Sequence, residues 1–457
     1  MSGILAAAMK TYLQQAQAVV RPSVRIAWPI GTAYYTDAAG GALASASLGV
    51  HKPFVSSIGE RELVASDRDG GLQPVELTLR LLDYDKTISS ALAGPLADTM
   101  EGSAVLIRLA PGDATIPVAS WAPFFAGVVE QIDFATSREL DLRLRVDDVA
   151  LRRTLLKHRI HVGDWPHAAN TTTPDSPDAV LGQYVPLYFG KHDSRSAGGG
   201  GAVKTWNVDD RGSGRNRWLI CQGAIASLIA VYGNGVAQSA STYTLERLVR
   251  GGAIYSLVTK VTGKFTGPVT VDIEGLDDAG DGTGALVDNP ASQIALLLNG
   301  WVYNDWGTGP YPTNAPVNAT YLAAAEAWFA RHGIKGGLRV LTPTSGASVL
   351  DSWAKSFPFI RLLWTFRNNT SELGIRPLDW TSYSYVSDPL LRWVAADDGT
   401  VMRPKRIRQN RIDRVVGRYL VNGLAGGPVR TLSVRDASLG YNASEDLELG
   451  ALVQSLG

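Results

Sequence analysis

Leu140-Asp141-Leu142-Arg143-Leu144-Arg145-Val146 is the stretch that decides the fold. Aliphatic and charged residues alternate with a period of two. That sends three leucines and a valine to one face and Asp141, Arg143 and Arg145 to the other, as in an antiparallel strand with one wet side. Working outward, Phe124 to Phe134 precedes it across a polar turn. Ala104-Val105-Leu106-Ile107-Arg108-Leu109, Val75-Glu76-Leu77-Thr78-Leu79-Arg80-Leu81 and Val24-Arg25-Ile26-Ala27-Trp28 read the same way. Five such strands separated by polar turns predict a small barrel or sandwich. One helical piece, Ile88 to Met100, interrupts them after the turn Asp83-Tyr84-Asp85-Lys86-Thr87, with Asp85 or Thr87 as its N-cap.

Before the strands, residues 3–20 read as one amphipathic helix, with Ile4, Leu5, Ala8, Tyr12, Leu13, Ala16 and Val19 near i, i+3, i+4 spacing and Pro22 forbidding continuation. Lys10 lies within it and no cleavage site follows, so it does not read as a signal peptide. After the strands, residues 163–202 are rich in turn formers. Asn170-Thr171-Thr172-Thr173-Pro174-Asp175-Ser176-Pro177 and Gly198-Gly199-Gly200-Gly201 read as exposed loops around the strand-like Val185-Pro186-Leu187-Tyr188-Phe189. Strand signals return over 202–273, clearest in Val269-Thr270-Val271-Asp272-Ile273.

Three helices follow. One enters through Asp288-Asn289-Pro290, one spans Tyr321 to His332, and one spans residues 344–356 with Thr344 or Ser345 as cap and Val349, Leu350, Trp353 and Phe357 on one face. Strands close the chain, notably Arg361-Leu362-Leu363-Trp364-Thr365-Phe366 and Arg414-Val415-Val416-Gly417-Arg418-Tyr419-Leu420-Val421. The expected fold class is α+β, predominantly β. It comprises an N-terminal helix (1–22), a first small β-barrel (23–162), a mixed α/β insertion (163–343), and a helix with a second small β-barrel (344–457). A β-rich start and end around a mixed middle suit two related modules split by an insertion.

A chain of 457 residues is long enough for about three domains. Lys plus Arg and Asp plus Glu both total 43, which leaves no net field to hold a polyanion or an acidic membrane. The strongest basic stretch, Arg403, Lys405, Arg406, Arg408, Arg411 and Arg414, is interrupted by Asp413 and suits a solvated or subunit-facing strand better than a nucleic-acid site. The single cysteine, Cys221, lies in an apolar run, so a disulfide framework and a thiolate zinc cluster are excluded and a buried, inert thiol is expected. No run of eighteen apolar residues occurs to span a membrane as a helix.

Each motif with chemical potential has a plainer structural reading. His158, His161 and His167, with Asp164 nearby and His192 further on, are types that ligate zinc or iron, but they sit at a strand exit without a metallopeptidase glutamate. The acidic pairs Asp83/Asp85, Asp147/Asp148, Asp209/Asp210 and Asp397/Asp398 are the carboxylates that glycan hydrolysis would need, but each falls at a strand end or turn. Asp277-Asp278-Ala279-Gly280-Asp281-Gly282-Thr283-Gly284 has the composition of a calcium loop, yet Asp288 stands where an EF-hand has its bidentate Glu, and a simple turn is favoured. The polyglycine lacks the lysine of a P-loop, and no Gly-x-Ser-x-Gly elbow is present. The aromatics cluster at Trp301, Tyr303 and Trp306 and at Trp380, Tyr383 and Tyr385, but are otherwise spread, which favours cores and interfaces over a sugar platform. No catalytic, cofactor-binding or metal-binding residue is therefore assigned.

Several of these stretches, in their order, resemble one family. Residues 288–299, an Asn-Pro-Ala entry into a run of aliphatics, look like a helix of the baseplate hub and tail tip attachment proteins of tailed bacteriophages. Residues 345–357 are similar to the helix that precedes a strand hairpin in those proteins, here Ile360 to Phe366 and Leu373-Gly374-Ile375-Arg376-Pro377-Leu378. Phe124-Phe125-Ala126-Gly127-Val128-Val129-Glu130-Gln131-Ile132 with Leu140 to Val146 resembles a strand pair of the hub's first barrel, in which Gly127 admits a tight backbone approach. Residues 163–260 match nothing in the family.

The resemblance implies a homotrimer with two barrels per subunit, adapting a sixfold tail tube to a threefold tip and lining a channel for tape measure protein and DNA. It implies as partners the chain itself, a distal tail protein or tail tube, the tape measure protein, and tail fibre or receptor-binding proteins. DNA would be a transient cargo, no cofactor would be needed, and the virion would be assembled in the host cytoplasm. The expected class is a structural protein without enzymatic activity. The alternatives are a tail-associated glycan or peptidoglycan hydrolase and a hexameric distal tail adaptor.

Overall fold

The computed structural model describes residues 20–37, 43–45, 48–59, 75–111, 116–165, 180–194, 201–211, 215–265, 267–357, 360–367, 370–377, 414–420, 429–435, 444–448 and 453–456. The expected N-terminal helix lies outside these residues except at Val20, which is already the first residue of a strand.

The leading strands are β1 (Val20–Trp28), β2 (Gly31–Asp37), β3 (Leu43–Ser45), β4 (Gly49–Ile58), β5 (Glu76–Leu82), β6 (Ala104–Pro111), β7 (Ala122–Thr136) and β8 (Glu139–Arg145). Seven of them close into a barrel in the order β1-β6-β7-β8-β5-β4-β2 and back to β1. Every pairing in the ring is antiparallel except β2 with β4, which is parallel with Tyr35 opposite Lys52 and Asp37 opposite Val55. β3 adds as a short antiparallel partner at the start of β4.

The alternation read from 140–146 holds. Leu140, Leu142 and Leu144 are buried, opposite the buried Leu81, Leu79 and Leu77, while the outward Arg80 holds Asp141 through two hydrogen bonds of 2.7 and 2.8 Å. Val24, Ile26, Val105, Ile107, Phe125 and Val129 complete the lining. The interior is therefore packed with side chains and is not a pore.

β7 serves two neighbours in succession, pairing with β6 through Val128 and with β8 from Val128 onward. At that changeover a Cβ on Gly127 would lie 2.1 Å from the Arg145 carbonyl oxygen, so only glycine lets the strands come this close.

The single helix expected over Ile88 to Met100 is two short ones, α1 (Thr87–Leu92) and α2 (Ala97–Met100). Gly94-Pro95 separates them, because proline supplies no amide donor and disfavours helical backbone in the residue before it. The residue preceding α1 is Lys86, in the left-handed region at φ 55°, and its first-turn amides are satisfied from further back. Asp83 accepts from the backbone N–H of Ile88 (3.3 Å) and Ser89 (2.8 Å), while Asp85 accepts from that of Thr87 (3.1 Å).

The middle of the chain builds two sheets from β9 (Leu187–Tyr188), β10 (Lys191–His192), β11 (Val203–Lys204), β12 (Trp206–Arg211), β13 (Arg215–Gln222), β14 (Ile225–Gly233), β15 (Val236–Ala237), β16 (Tyr243–Arg250), β17 (Ala253–Lys260) and β18 (Val269–Leu276). One sheet runs β12-β13-β17-β16. The other runs β10-β18-β14-β15, with β11 also on β18. Trp218, Ile220 and Val258 of the first sheet meet Val231, Val271 and Ile273 of the second in one core, as in a sandwich. The other face of the first sheet buries Leu219, Tyr255 and Leu257 against Ile160, Trp165, Val180 and Val185.

The next helices are α3 (Pro290–Leu297), continued as a π-turn through Val302, then α4 (Ala319–Arg331) and α5 (Gly346–Ser356). Their caps are the expected kind: Asn289 accepts from the Ala291 N–H and Ser345 from that of Ser348. Val349, Leu350, Trp353 and Phe357 are buried as the spacing requires. Two short strands, β19 (Ile334–Gly336) and β20 (Arg339–Val340), intervene, and the hairpin β21 (Ile360–Arg367) and β22 (Thr370–Pro377) follows. The helices and this hairpin share one continuous hydrophobic core with the barrel, with the Phe125 and Phe366 rings 5.6 Å apart.

Beyond it, β23 (Arg414–Leu420) pairs with β24 (Val429–Arg435) and β25 (Ser444–Glu448), and β26 (Val453–Leu456) pairs with β19. The connections that would close the trailing strands into the second expected barrel lie outside the described residues. The chain is predominantly β with few helices, as its strand periodicity required.

The Gly127 contact is directly testable. Gly127→Val forces a side chain into the Arg145 carbonyl and is expected to lower unfolding free energy by about 3 kcal/mol, read by urea denaturation.

Candidate functional site

The histidines that could have formed a metal centre are separated by the fold. His158 places Nδ1 3.2 Å from the Tyr255 hydroxyl on β17, with burial holding its pKa below the ordinary imidazole range. His161 accepts the Gly163 N–H at Nδ1 (3.0 Å), and His167 lies outside the described residues. His192 is wholly buried elsewhere: one ring nitrogen contacts the Phe189 carbonyl (3.1 Å) and Nδ1 accepts from Arg339 Nε (3.0 Å). That pattern places the ring proton on Nε2 and leaves the imidazole neutral, and burial pushes its pKa well down. Among the described residues no group of three or more His, Cys, Asp or Glu is placed to hold a metal.

The acidic pairs resolve into local structure. Asp83 serves α1, and Asp85 pairs with Lys52 at 2.5 Å. Asp147 accepts the Val149 N–H (3.3 Å), and Asp148 meets Arg152 (3.1 Å) and Arg145 (3.5 Å). Asp209 and Asp210 lie in β12 where side chains are not described, and Asp397 and Asp398 lie outside the described residues.

The glycine-rich acidic loop is a self-satisfied turn. Asp277, fully buried, accepts the backbone N–H groups of Gly280 (2.9 Å), Gly282 (2.8 Å) and Gly284 (2.9 Å). Asp278 accepts that of Ala285 (2.8 Å), and Asp281 takes both donors of Thr283, which hold its carboxyl below the usual range. Arg247 ties the loop to β14 by donating to the Gly282 and Ile225 carbonyls. The carboxylates thus bond to amides of their own turn, where a calcium loop would turn them toward a cation.

Cys221 is buried in the sandwich core, which raises its thiol pKa, and it is inert for that reason. Trp301 and Trp306 pack edge to face at 5.3 Å, with Tyr311 4.5 Å from Trp306 and Phe189 5.8 Å from Trp301. This is a core cluster, and its exposed margin with Asp278, Asp281, Ser292, Asn299 and Glu326 lines an open cleft of about 600 Å³. Trp380, Tyr383 and Tyr385, and the basic stretch apart from the backbone of Arg414, lie outside the described residues.

Two buried polar centres carried no sequence signal. Asp272, buried on β18, accepts from the Ser194 N–H and hydroxyl, the Ala202 N–H and the Tyr232 hydroxyl, clamping both ends of the segment that carries the four glycines. Arg217, 1% exposed, pairs with Glu246 across β17. Both sit on strands whose alternation predicts only which face they occupy. Their partners are far along the chain and become visible only in the fold.

No protein-family model matches this chain, and no curated protein matches it. Among solved structures, a chain of the "Virion of native gene transfer agent (GTA) particle" is similar at 14% identity with a TM-score of 0.25, over 60% of this chain and 85% of that one.

The acidic loop gives a clear expectation. Asp277→Ala strands three amide donors and should cost about 3 kcal/mol in urea unfolding, whereas millimolar calcium added to the wild-type protein should leave its melting temperature unchanged.

Proposed function

We propose that this chain is a structural protein of a phage-like virion and acts as the hub of a tail tip or baseplate. The single observation that carries the reading is the closed leading barrel with the hairpin that opens the trailing strand-rich part packed on it. β21 and β22 lie against β7 of the closed barrel, and Phe366 packs on Phe125. A second sheet module built onto this hairpin would sit beside the barrel, and two such modules per subunit would give a threefold assembly six similar surfaces. The order of the hub-like stretches along the sequence supports the same reading.

The chain then works as a homotrimer that joins a sixfold tail tube or distal tail protein to a threefold tip, with tape measure protein and DNA passing along the axis. Tail fibres or receptor-binding proteins attach around it. Because the described barrel is filled with side chains, a channel runs between modules, lined by their outer faces, and does not pass through a barrel. The protein carries out no turnover in this role and resides in the virion tail.

Native mass measurement of the full chain, alone and with a co-expressed tail tube or distal tail protein, tests the proposal. A trimer in either sample is expected, and in a particle map the residue 20–146 barrels should surround the axis. A hexameric ring would mark a distal adaptor instead. A monomer in both samples that cleaves cell-wall or surface polysaccharide would overturn the structural reading.

A further inference from the structure

The barrel's one parallel joint holds a buried ionisable group. His51, on β4, is 0% exposed, yet it belongs to the outward set of that strand. Its Nε2 lies 2.9 Å from the Ser23 hydroxyl on β1. Because β2 lies between β4 and β1 in the ring, this contact reaches across the closing strand. Nδ1 has no partner in hydrogen-bonding geometry, though it faces the backbone of Leu43 and Gly49. The rings of Tyr34 (5.3 Å) and Trp121 (6.1 Å) cover it, and Trp121 is itself packed in a small cluster with Leu43 and Ala110.

Among the charged groups around it, Arg108 of β6 lies opposite Ser23 and Arg25 of β1 lies opposite Tyr34. From β1 comes Arg21, whose Nε is bonded to Asp37 of β2 at 2.7 Å. The neighbouring Lys52 of β4 pairs with Asp85. The described parts of β3 and of the segment 116–121 bring no charged side chain. An imidazolium at this place would have cations near it, no carboxylate bonded to it and no exposure to solvent.

We propose that His51 is an acid-sensitive clasp on the barrel's closing seam, whose protonation releases β2 from β4 and opens the ring. Burial, the leading cause, holds the folded imidazole below its ordinary range; the Leu43 and Gly49 backbone acts against it and Arg21 acts with it. The unfolded or opened state therefore binds the proton first. The seam is fully stable above about pH 6.5 and loses stability as pH falls through that value, by up to about tenfold in the opening equilibrium per pH unit. The inference is independent of the assembly reading.

The test is amide hydrogen exchange on the full chain between pH 7 and pH 5, corrected for intrinsic exchange, comparing wild type with His51→Gln. In wild type, protection over residues 31–37 and 49–58 should fall by up to about tenfold per pH unit while residues 139–145 hold theirs, and in His51→Gln the seam should lose this dependence. An equal pH dependence in the variant, or a wild-type loss no larger at the seam than in β8, would overturn the clasp. Should the variant fail to fold, NMR of the wild-type ring decides. A ring that stays neutral until the seam amides exchange supports the proposal, and one that titrates at or above the free imidazole range with the seam still protected refutes it.

Discussion

Seven strands become a barrel only where β2 turns its second edge to β4. Everything else in the leading module is antiparallel and follows from neighbouring registers: β1 with β2 across the tight turn at Pro29-Ile30, β7 with β8 across Ser137-Arg138, and β5 against β8. The β2–β4 joint is parallel, short and shifted in register between Tyr35 and Asp37, yet it removes both free edges of the sheet at once. Without it the leucines of β5 and β8 would line an open, curved sheet with part of their apolar surface wet. Closure therefore converts an amphipathic sheet into a core; outside the ring His51 of β4 reaches Ser23 of β1 across the joint, while Arg21 with Asp37 and Thr36 donating to the Pro22 carbonyl at 2.8 Å hold β2 to β1.

The barrel core extends beyond the barrel. One hydrophobic cluster runs from Val24 and Leu79 through Leu297, Phe329 and Trp353 to Phe366 and Ile375, so the three helices and the following hairpin solidify with the first module. The sandwich of β10–β18 keeps cores of its own, and polar pins tie its segments together: Asp272 to Ser194 and Ala202, and His192 to Arg339. Such buried polar contacts add little net stability each, but a wrong arrangement would leave them unpaired, and this penalty fixes one geometry.

Among the described residues the paired carboxylates are engaged locally. Carboxylates that could have served hydrolysis instead cap a helix, close a turn or pair with an arginine on the next strand, and each is engaged by donors within its own neighbourhood. A catalytic pair needs carboxylates whose environments differ and whose oxygens face a common space. Asp83, Asp277 and Asp148 each face their own backbone or a cation instead.

Period-two alternation in 75–81 and 140–146 was enough to establish the strands, their inner faces and the β-rich class, because a strand exposes its two faces to different solvents whatever lies around it. The caps at Asn289 and Ser345 were equally legible, since capping is a contact over two or three residues. Gly127 could be singled out from sequence, but its reason, the Arg145 carbonyl 2.1 Å from any Cβ, is a long-range fact. The split of residues 87–100 into two helices was missed although Gly94-Pro95 marked it. Which strand meets which, that β2 closes on β4 and not β3 on some outer edge, and that His51 is sealed over Ser23 were decided by the tertiary structure alone. Pairing across dozens of residues depends on the total burial of the finished ring, and no local window of sequence carries that sum.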